Sequence, residues 1–405
     1  MNVMLPKELA RACMVMTLLS MSHSLAADTS ISFGFETRLF TEDSRFSSQS
    51  DSFSSSLFVE PEFSWQSGGR DQAFRSRVFY RYDSQDTERT HLDVREFYYT
   101  KEFGLWELNA GINRIFWGVT ESVHLVDVIN QVDFVEDIDG EDRLGQPMLQ
   151  LAYQADWGRA EVILLPYFRK RQFASEDGRF FLGADVSSDA DYESGARAQH
   201  IDAALRYSHF FGDFDLGVHL FSGTNREPEL RAALVSQANA PQFALVPYYG
   251  QMQQAGIDLQ YTVDAWLFKV ESLYRKASAD SFFAAVAGFE YTVFQLAQSA
   301  FDLGLLLEYQ FDDRDQTIIP IGSNNDLFLG ARLAFNDIQD TSILAGVAVD
   351  LDTQEQFYNV EAERRVGQSL GVEARLRVFS DISDESLLLA FEKDDYFELE
   401  LSWYF

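Results

Sequence analysis

Residues 396–405 read YFELELSWYF, and this stretch decides the fold of the chain. Every second residue from Phe397 to Phe405 is apolar, while Glu398, Glu400 and Ser402 fall on the opposite side. A period of two predicts a β-strand with one apolar face and one polar face. Aromatic side chains on the apolar face suit a strand in contact with lipid, and the alternative is an edge strand of a soluble protein.

The same alternation recurs along the chain and predicts 18 strands, each long enough to cross a bilayer at a tilt. We therefore predict an all-β fold, a transmembrane antiparallel up-and-down β-barrel whose last strand closes against its first. A barrel of 16 strands is the alternative. The predicted strands are residues 31–40, 57–65, 74–82, 91–101, 105–116, 148–156, 159–168, 200–210, 214–222, 253–263, 266–276, 282–293, 302–311, 326–335, 342–351, 357–366, 370–379 and 396–405.

Two residues break the alternation, since Glu96 and Arg114 fall on the outward register of their strands. A β-bulge or a position at the membrane interface would explain either of them.

The lengths of the connections predict a topology. If the N-terminus is periplasmic, every long loop is extracellular and the remaining connections are shorter periplasmic or extracellular turns, as in outer-membrane barrels. The long loops are residues 41–55, 117–146, 169–197, 223–250, 312–325 and 380–395.

Residues 1–26 have the pattern of a signal peptide, which leaves residues 27–405 for the barrel. Two basic residues precede an apolar stretch at 12–21, and small residues follow it, so we predict cleavage after Ala26, with Ala27 as the alternative. Cys13 lies before most of the apolar stretch, so we expect neither a lipid anchor nor, in the mature chain, a disulfide.

Composition narrows the class of protein. The chain has 32 basic and 64 acidic residues, a net charge of −32 that repels nucleic acid and favours small cations. It contains 36 Phe and 17 Tyr, yet no run of 18 apolar residues follows the signal peptide, so no transmembrane helix is expected. These features predict the outer membrane of a Gram-negative bacterium as the location.

Charged residues of both signs occupy inward positions on six strands that barrel closure brings together. They predict a ladder of Arg and Glu along the wall of a wet lumen. Alternatively, these residues pair with one another and rigidify a filled interior. The predicted ladder comprises Glu36, Arg38, Glu60, Glu62, Arg75, Arg77, Arg81, Glu361, Glu363, Glu373, Arg375, Arg377, Glu398 and Glu400.

Several short motifs carry a resemblance. Residues 111–114 read GINR, Trp117-Gly118 follows, and Asn130 and Asp133 come about a dozen residues later; 289–291 (FEY), 325–330 (NDLFLG) and 393–396 (KDDY) extend the pattern. This pattern resembles the proteobacterial outer-membrane proteins grouped as domain of unknown function 1302. The resemblance implies a porin-like barrel without catalytic residues and without an agreed substrate.

The terminal strand also resembles the signal that the outer-membrane assembly machinery recognises, with Trp403 and Phe405 as its main residues.

Loop 117–146 is the third extracellular loop, and the porin-like resemblance implies that it folds into the pore. Its acids outnumber its single arginine, Arg143, so it would attract cations and exclude anions. A solvated loop at the cell surface is the alternative. Residues 136–142 could also bind Ca²⁺ weakly, although they lack the spacing of an EF-hand. The predicted constriction acids are Glu121, Asp127, Asp133, Glu136, Asp137, Asp139, Glu141 and Asp142.

We expect no enzyme activity. His219 and Ser222 invite comparison with an outer-membrane lipase, but their odd separation puts them on opposite faces of a strand. His200 and Asp202 lie at i and i+2 of an ordinary polar face, where a protease would need further acids. The histidines show no metal-ligand spacing, and no phosphate-binding loop is present, so no cofactor and no metal are predicted.

The resulting expectation is a passive channel for small solutes with a cation preference. The alternative is a non-conducting structural or adhesive barrel whose acidic loops bind divalent ions, lipopolysaccharide or a partner. A transporter of a hydrophobic substrate is a third possibility. Expected partners are outer-membrane lipid, lipopolysaccharide and the assembly machinery, but not nucleic acid. The solute and the choice between monomer and trimer stay open.

Overall fold

The computed structural model describes residues 26–49, 52–237, 240–278, 280–314, 324–383 and 386–405. The predicted signal peptide lies outside these residues, apart from Ala26, where the first strand begins. The described residues include three short 3-10 helices, Arg197–Gln199, Leu296–Gln298 and Leu387–Phe391. In this part of the chain, no helix is both long and apolar enough to span a membrane.

Eighteen strands of the described chain form one closed antiparallel barrel. They are β1 (Ala26–Phe40), β2 (Phe53–Gln66), β3 (Gln72–Asp83), β4 (Leu92–Phe103), β5 (Trp106–Asn113), β6 (Gln146–Ala155), β7 (Gly158–Leu165), β9 (Asp202–Phe211), β10 (Phe214–Thr224), β13 (Gln251–Val263), β14 (Trp266–Ala277), β15 (Ser281–Val293), β16 (Asp302–Asp312), β17 (Asn325–Ala334), β18 (Ser342–Asp350), β19 (Gln356–Val366), β20 (Leu370–Ser380) and β21 (Tyr396–Tyr404). The other three described strands, β8 (Asp191–Tyr192), β11 (Glu229–Gln237) and β12 (Ala240–Tyr249), lie in the loops.

Each barrel strand pairs with the next barrel strand along the chain, and β21 returns to β1. At this seam Phe33 lies opposite Trp403, and Ile31 and Phe405 exchange backbone hydrogen bonds of 3.2 and 3.0 Å. Closure satisfies the backbone groups that an open edge would leave exposed. The predicted 18-stranded barrel is therefore confirmed, and the 16-stranded alternative is wrong.

Two of the long loops contain regular structure that the sequence analysis missed. The short strand β8 (Asp191–Tyr192) pairs in parallel with β12 (Ala240–Tyr249), which pairs antiparallel with β11 (Glu229–Gln237). Pro241 and Pro247 interrupt the pattern of β12, and proline argues against a strand in the middle of a sheet. Pro241 lies in the part of β12 that pairs with β11 alone, where proline is tolerated, whereas Pro247 lies between residues that also pair on the other side of β12.

The short-turn end of the barrel carries a row of neighbouring aromatic rings on several successive strands. An aromatic girdle of this kind is typical of the boundary between a bilayer and water. Pairs within the row include Trp106–Tyr153 at 4.7 Å between ring centroids, Trp157–Tyr207 at 6.1 Å, Phe214–Tyr261 at 4.1 Å and Trp266–Tyr291 at 4.5 Å.

Glu96 faces the lumen because β4 contains a bulge at Arg95, where the pairing with β3 shifts by one residue. The extra residue lets Asp93 and Glu96, three positions apart, both lie buried on the inner face. One of the two predicted causes of the irregularity is thus present. Arg114 lies beyond the end of β5 and turns inward, with Nη2 3.5 Å from Glu96 Oε1, so its outward assignment is wrong.

Candidate functional site: the loop inside the barrel

The connection between β5 and β6, residues 114–145, folds into the lumen. Asn130 holds the two arms of this inner loop together at its root. Its Nδ2 donates to the carbonyls of Asn113 and Leu144 at 3.0 and 2.9 Å, and its Oδ1 accepts from the amide of Ile115 at 3.0 Å. Because Asn130 is buried, these bonds fix the direction in which the loop leaves the wall.

One side of the inner loop packs into an apolar core inside the barrel. Trp117, Val126 and Ile129 are buried there against inward side chains of five strands. The sequence analysis assigned apolar residues to the outer face only, so this core corrects it for β6 to β13. The lumen is therefore closed on this side. The wall residues of the core are Met148, Ile163, Leu165, Ala204, Phe221 and Met252.

Glu271 on β14 binds the backbone of the inner loop. Its Oε1 accepts from the amides of Val119 and Thr120 at 2.7 and 3.0 Å and from Thr120 Oγ1 at 2.7 Å. Its Oε2 accepts from the amide of Val126 at 3.2 Å. The side chain has no exposed surface, so one buried carboxylate accepts the hydrogen bonds of four loop donors.

Glu308 on β16 binds the next residues of the loop in the same way. Its carboxylate accepts from the amide of Glu121 at 2.9 Å and from the amide of Ser122 at 2.8 Å. Sequence reasoning missed both glutamates. The available signal was a single carboxylate within each strand segment, KVESLY around Glu271 and LLLEYQ around Glu308.

The opposite wall holds the loop with arginines. Glu36 gathers three of them: Arg81 at 2.6 Å, Arg89 at 2.8 Å and Arg38 at 3.2 Å. Arg38 also donates to the carbonyl of Glu136 at 2.8 Å, and Arg89 donates to the loop backbone as well. Wall and loop thus form one buried ion network.

Two predicted constriction acids, Glu136 and Asp137, are buried in this network rather than exposed to solvent. Arg81 Nη2 lies 2.8 Å from Glu136 Oε2, and Arg377 lies 3.7 Å from Asp137. Burial opposes ionisation of both acids, but the nearby arginine charges outweigh it and lower the pKa of each. The alternative of a solvated surface loop is therefore wrong for this segment.

Asp139 and Asp142 respond differently. Burial, together with the charge of Asp137, raises the pKa of Asp139 to about 7, although Arg377 lies only 2.9 Å away. Burial and the charge of Glu136 raise the pKa of Asp142 to about 6. These two acids therefore change charge near neutral pH.

The remaining loop acids divide between paired and exposed positions. Glu121 pairs with Arg332 at 2.7 Å, and Asp127 pairs with Arg143 at 2.8 Å. Glu141 is half exposed and lies 3.2 Å from His124. Burial alone would lower the pKa of His124, but the hydrogen bonds and charges of Glu141 and Glu271 raise it to about 10.

All fourteen residues of the predicted charge ladder lie on the inner face, since cross-strand partners share a face. Five of them are buried beneath the loop: Glu36, Arg38, Arg81, Arg377 and Glu398. The ion pairs of these buried residues favour the alternative of mutual pairing, although Glu36 and Arg81 also border a cavity. The partly exposed members are Glu60, Glu62, Arg75, Arg77, Glu361, Glu363, Glu373, Arg375 and Glu400.

A cavity of about 580 Å³ remains between the inner loop and the wall formed by β16 to β20. Phe328 lies flat on this wall because Gly346 leaves room for its ring; a Cβ there would lie 2.5 Å from it. The lining combines apolar side chains with seven carboxylates, and His124 is its one basic side chain among the described residues. The lining carboxylates are Glu121, Asp139, Glu141, Asp326, Asp350, Glu355 and Glu361.

A second cavity of about 240 Å³ lies between the inner loop and the wall of β1 to β4, β20 and β21. It has arginines as well as carboxylates in its lining, among them Arg95, Arg375 and Glu400. The Arg377 network, which reaches Asp139 and Glu361 at 2.9 and 2.7 Å, lies at the border of the first cavity.

The long loops cover the lumen above β1, β20 and β21. Phe180 packs against Phe40 and Tyr396, with ring centroids 6.2 and 5.6 Å apart. Arg179 secures this cover through a buried ion pair of 2.7 Å with Asp394.

The two pairs that invite comparison with hydrolases, His219 with Ser222 and His200 with Asp202, lie in structural environments. Buried His219 packs against Trp117 with ring centroids 5.1 Å apart, while Ser222 is exposed on the other face of β10. Asp202 receives His200 at 2.7 Å and also Arg226 at 2.6 Å, which ties a loop to the wall.

No protein-family model matches the chain, and no curated protein matches it. Solved structures similar in fold include OmpT of Vibrio cholerae, an outer membrane protein in trimer form, at 11% identity and a TM-score of 0.45, covering 95% of this chain and 100% of that one. A porin of Rh. blastica follows at 11% identity and a TM-score of 0.43, covering 94% and 100%. OprB of Pseudomonas putida gives 10% and 0.45, covering 94% of each chain. At these values, no functional argument rests on the likeness.

Proposed function

We propose that the protein is an outer-membrane channel for passive passage of small solutes, with a preference for cations. The inner loop of residues 114–145 narrows the lumen, and solutes pass through the acidic cavity beside β16 to β20. The aromatic girdle and the apolar outer face support a location in a bilayer. In this proposal the long loops are extracellular and the short turns are periplasmic.

Membership of the domain of unknown function 1302 group is part of the proposal. Its motif residues surround the root of the inner loop: Trp117 anchors the apolar core, and Asn130 joins the two arms. A shared way of inserting the loop would explain why these residue types recur at these spacings.

The acidic lining of the 580 Å³ cavity is the observation that carries the proposal. Only part of its charge is compensated by Arg332, Arg377 and His124. A narrow passage with an excess of carboxylates concentrates cations and repels anions. The cation preference is therefore assigned to the acids that line this cavity and not to all eight predicted constriction acids, because Glu136 and Asp137 are buried and paired with arginines.

Reversal potentials of reconstituted protein in planar bilayers test the proposal. The variant Glu141→Gln with Glu361→Gln removes two charges from the cavity. A charge about 8 Å from the path contributes about 0.5 kcal/mol in water, with opposite sign for a cation and an anion. Two charges therefore change the cation-to-anion permeability ratio by about 2 kcal/mol, so we expect it to fall up to about 30-fold at low salt. The change should shrink as salt rises, because ions screen the lining.

The matched control is Asp213→Asn with Asp264→Asn, which removes two charges from short turns outside the lumen. The control should keep the wild-type ratio. Equal ratios in wild type and the Glu141 and Glu361 variant would contradict the cavity as the path. Absence of conductance steps in folded wild-type protein would favour the alternative of a non-conducting barrel, which the packed core and the covered mouth also suit.

A further inference from the structure

His91, Asp133 and Glu136 converge where the inner loop meets the wall. His91 directly precedes β4, and the two acids lie on the loop. His91 Nε2 lies 3.5 Å from Asp133 Oδ2 and 3.7 Å from Glu136 Oε1, and the three ligand atoms all lie within 4.8 Å of one another. The cluster joins groups more than 40 residues apart, so it depends on insertion of the loop.

The atoms that face each other in this cluster lack hydrogen-bond partners among the described residues. They are Nε2 of His91, both carboxylate oxygens of Asp133 and Oε1 of Glu136. The three side chains are 7%, 1% and 4% exposed, respectively. Buried polar atoms are normally paired, so a group of them pointing at one place indicates an absent common partner.

Contacts with neighbouring groups orient His91 Nε2 and Glu136 Oε1 toward the centre of the cluster. His91 Nδ1 lies 2.9 Å from the carbonyl of Arg89, which can only accept, so Nδ1 carries the hydrogen. A neutral His91 then presents its Nε2 lone pair to the cluster. On Glu136, Arg81 binds Oε2 at 2.8 Å and leaves Oε1 free to face His91. Such second contacts are typical of metal-binding histidines and carboxylates.

We propose that His91, Asp133 and Glu136 bind one divalent first-row metal ion, with Zn²⁺ as the best fit. One imidazole nitrogen and two carboxylate oxygens suit such an ion better than Ca²⁺, which prefers oxygen ligands alone. Ligands about 2.1 Å from tetrahedral Zn²⁺ are about 3.4 Å apart, close to the two separations observed here. Three protein ligands leave a fourth position for water.

The ion would fasten the inner loop to the wall. Asp133 and Glu136 bring two negative charges to the ion, and Glu136 binds Arg81 through its other oxygen. Of the other nearby arginines, Arg89 binds Glu36 at 2.8 Å and Arg95 binds Glu60 at 3.0 Å. The competing arrangement is a protonated His91 that binds the two acids without a metal. The metal site does not depend on the proposed channel function.

Titration of the full-length barrel in detergent with Zn²⁺ after chelator treatment tests the inference. We expect binding of one equivalent, a rise in the unfolding temperature, and a visible absorption band when Co²⁺ replaces Zn²⁺. His91→Gln and Asp133→Asn should each weaken binding at least 10-fold. Heat-modifiable migration in gels confirms that each variant is folded.

His200→Gln is the matched control, because His200 is also paired with an aspartate, at 2.7 Å, but lies away from the cluster. It should bind Zn²⁺ like the wild type. Lack of stoichiometric binding to the wild type would overturn the inference and leave the protonated His91. Equal affinity in wild type and both cluster variants would overturn it as well, since the ion would then lie elsewhere.

Discussion

Replacement of Glu271 by alanine should release the inner loop from the wall of β14. The substitution removes the acceptor for three backbone amides, those of Val119, Thr120 and Val126. An unpaired buried donor costs about 1–3 kcal/mol. Three donors give about 3–9 kcal/mol, and water entering the space left by the side chain favours the lower figure.

A loss of about 3 kcal/mol corresponds to an increase of about 100-fold in the population of the undocked loop. Hydrogen exchange measured by mass spectrometry reports this population directly, because local opening exposes the amides to solvent. We expect the amides of residues 117–129 to exchange about 100-fold faster in Glu271→Ala. Glu271→Gln keeps one acceptor oxygen and should give a smaller increase.

The control is Glu363→Ala on the inner face of β19, whose carboxylate accepts from Ser342 Oγ at 2.8 Å instead of binding the loop. Exchange in residues 117–129 should be unchanged there. If folded Glu271→Ala exchanges within about threefold of the wild type, the glutamate does not hold the loop and the reasoning fails.

Two further predictions concern the acidic cavity. Burial and the charge of Asp137 raise the pKa of Asp139 to about 7. Protonated Asp139 therefore stabilises the docked loop at low pH, and this stabilisation is lost as the pH rises through about 7. Ionised Asp139 also adds a negative charge to the cavity lining, so cation preference should increase between about pH 6 and 8 in bilayer recordings. An Asp139→Asn channel that keeps this rise would contradict the assignment. Gly346→Val should push the ring of Phe328 into the cavity at a cost of about 1–3 kcal/mol and lower the single-channel conductance. The control Ala345→Val, on the outer face, should leave the conductance unchanged. Equal conductance of the two variants would place the path elsewhere.

The strands and their faces follow from the sequence because alternation is a local property. A period of two over ten residues identifies a strand and its two faces without reference to any other part of the chain. Closure follows in turn, since an open edge cannot be satisfied in lipid. The irregularity at Glu96 was visible for the same reason, as a local break in the alternation.

The course of the inner loop and its partners could not be derived in this way. Glu271 lies about 150 residues from the amides it binds, and Arg377 lies 238 residues from Asp139. No spacing along the chain relates such residues. An excess of acids in a loop is equally compatible with solvent exposure and with burial against arginines, and only the position of those arginines separates the two.

The sequence by itself thus determined that the chain forms a closed barrel, with 18 strands as the preferred count, and that the charges of the predicted ladder point inward. Tertiary structure alone decided that five of the fourteen ladder charges are buried beneath the inner loop, that apolar residues fill one side of the lumen, and that His91 lies beside Asp133 and Glu136. The reason is physical: the alternation of apolar and polar side chains that specifies a strand and its two faces is a property of each strand separately. Electrostatic compensation inside the barrel acts between groups that only the closed ring brings together.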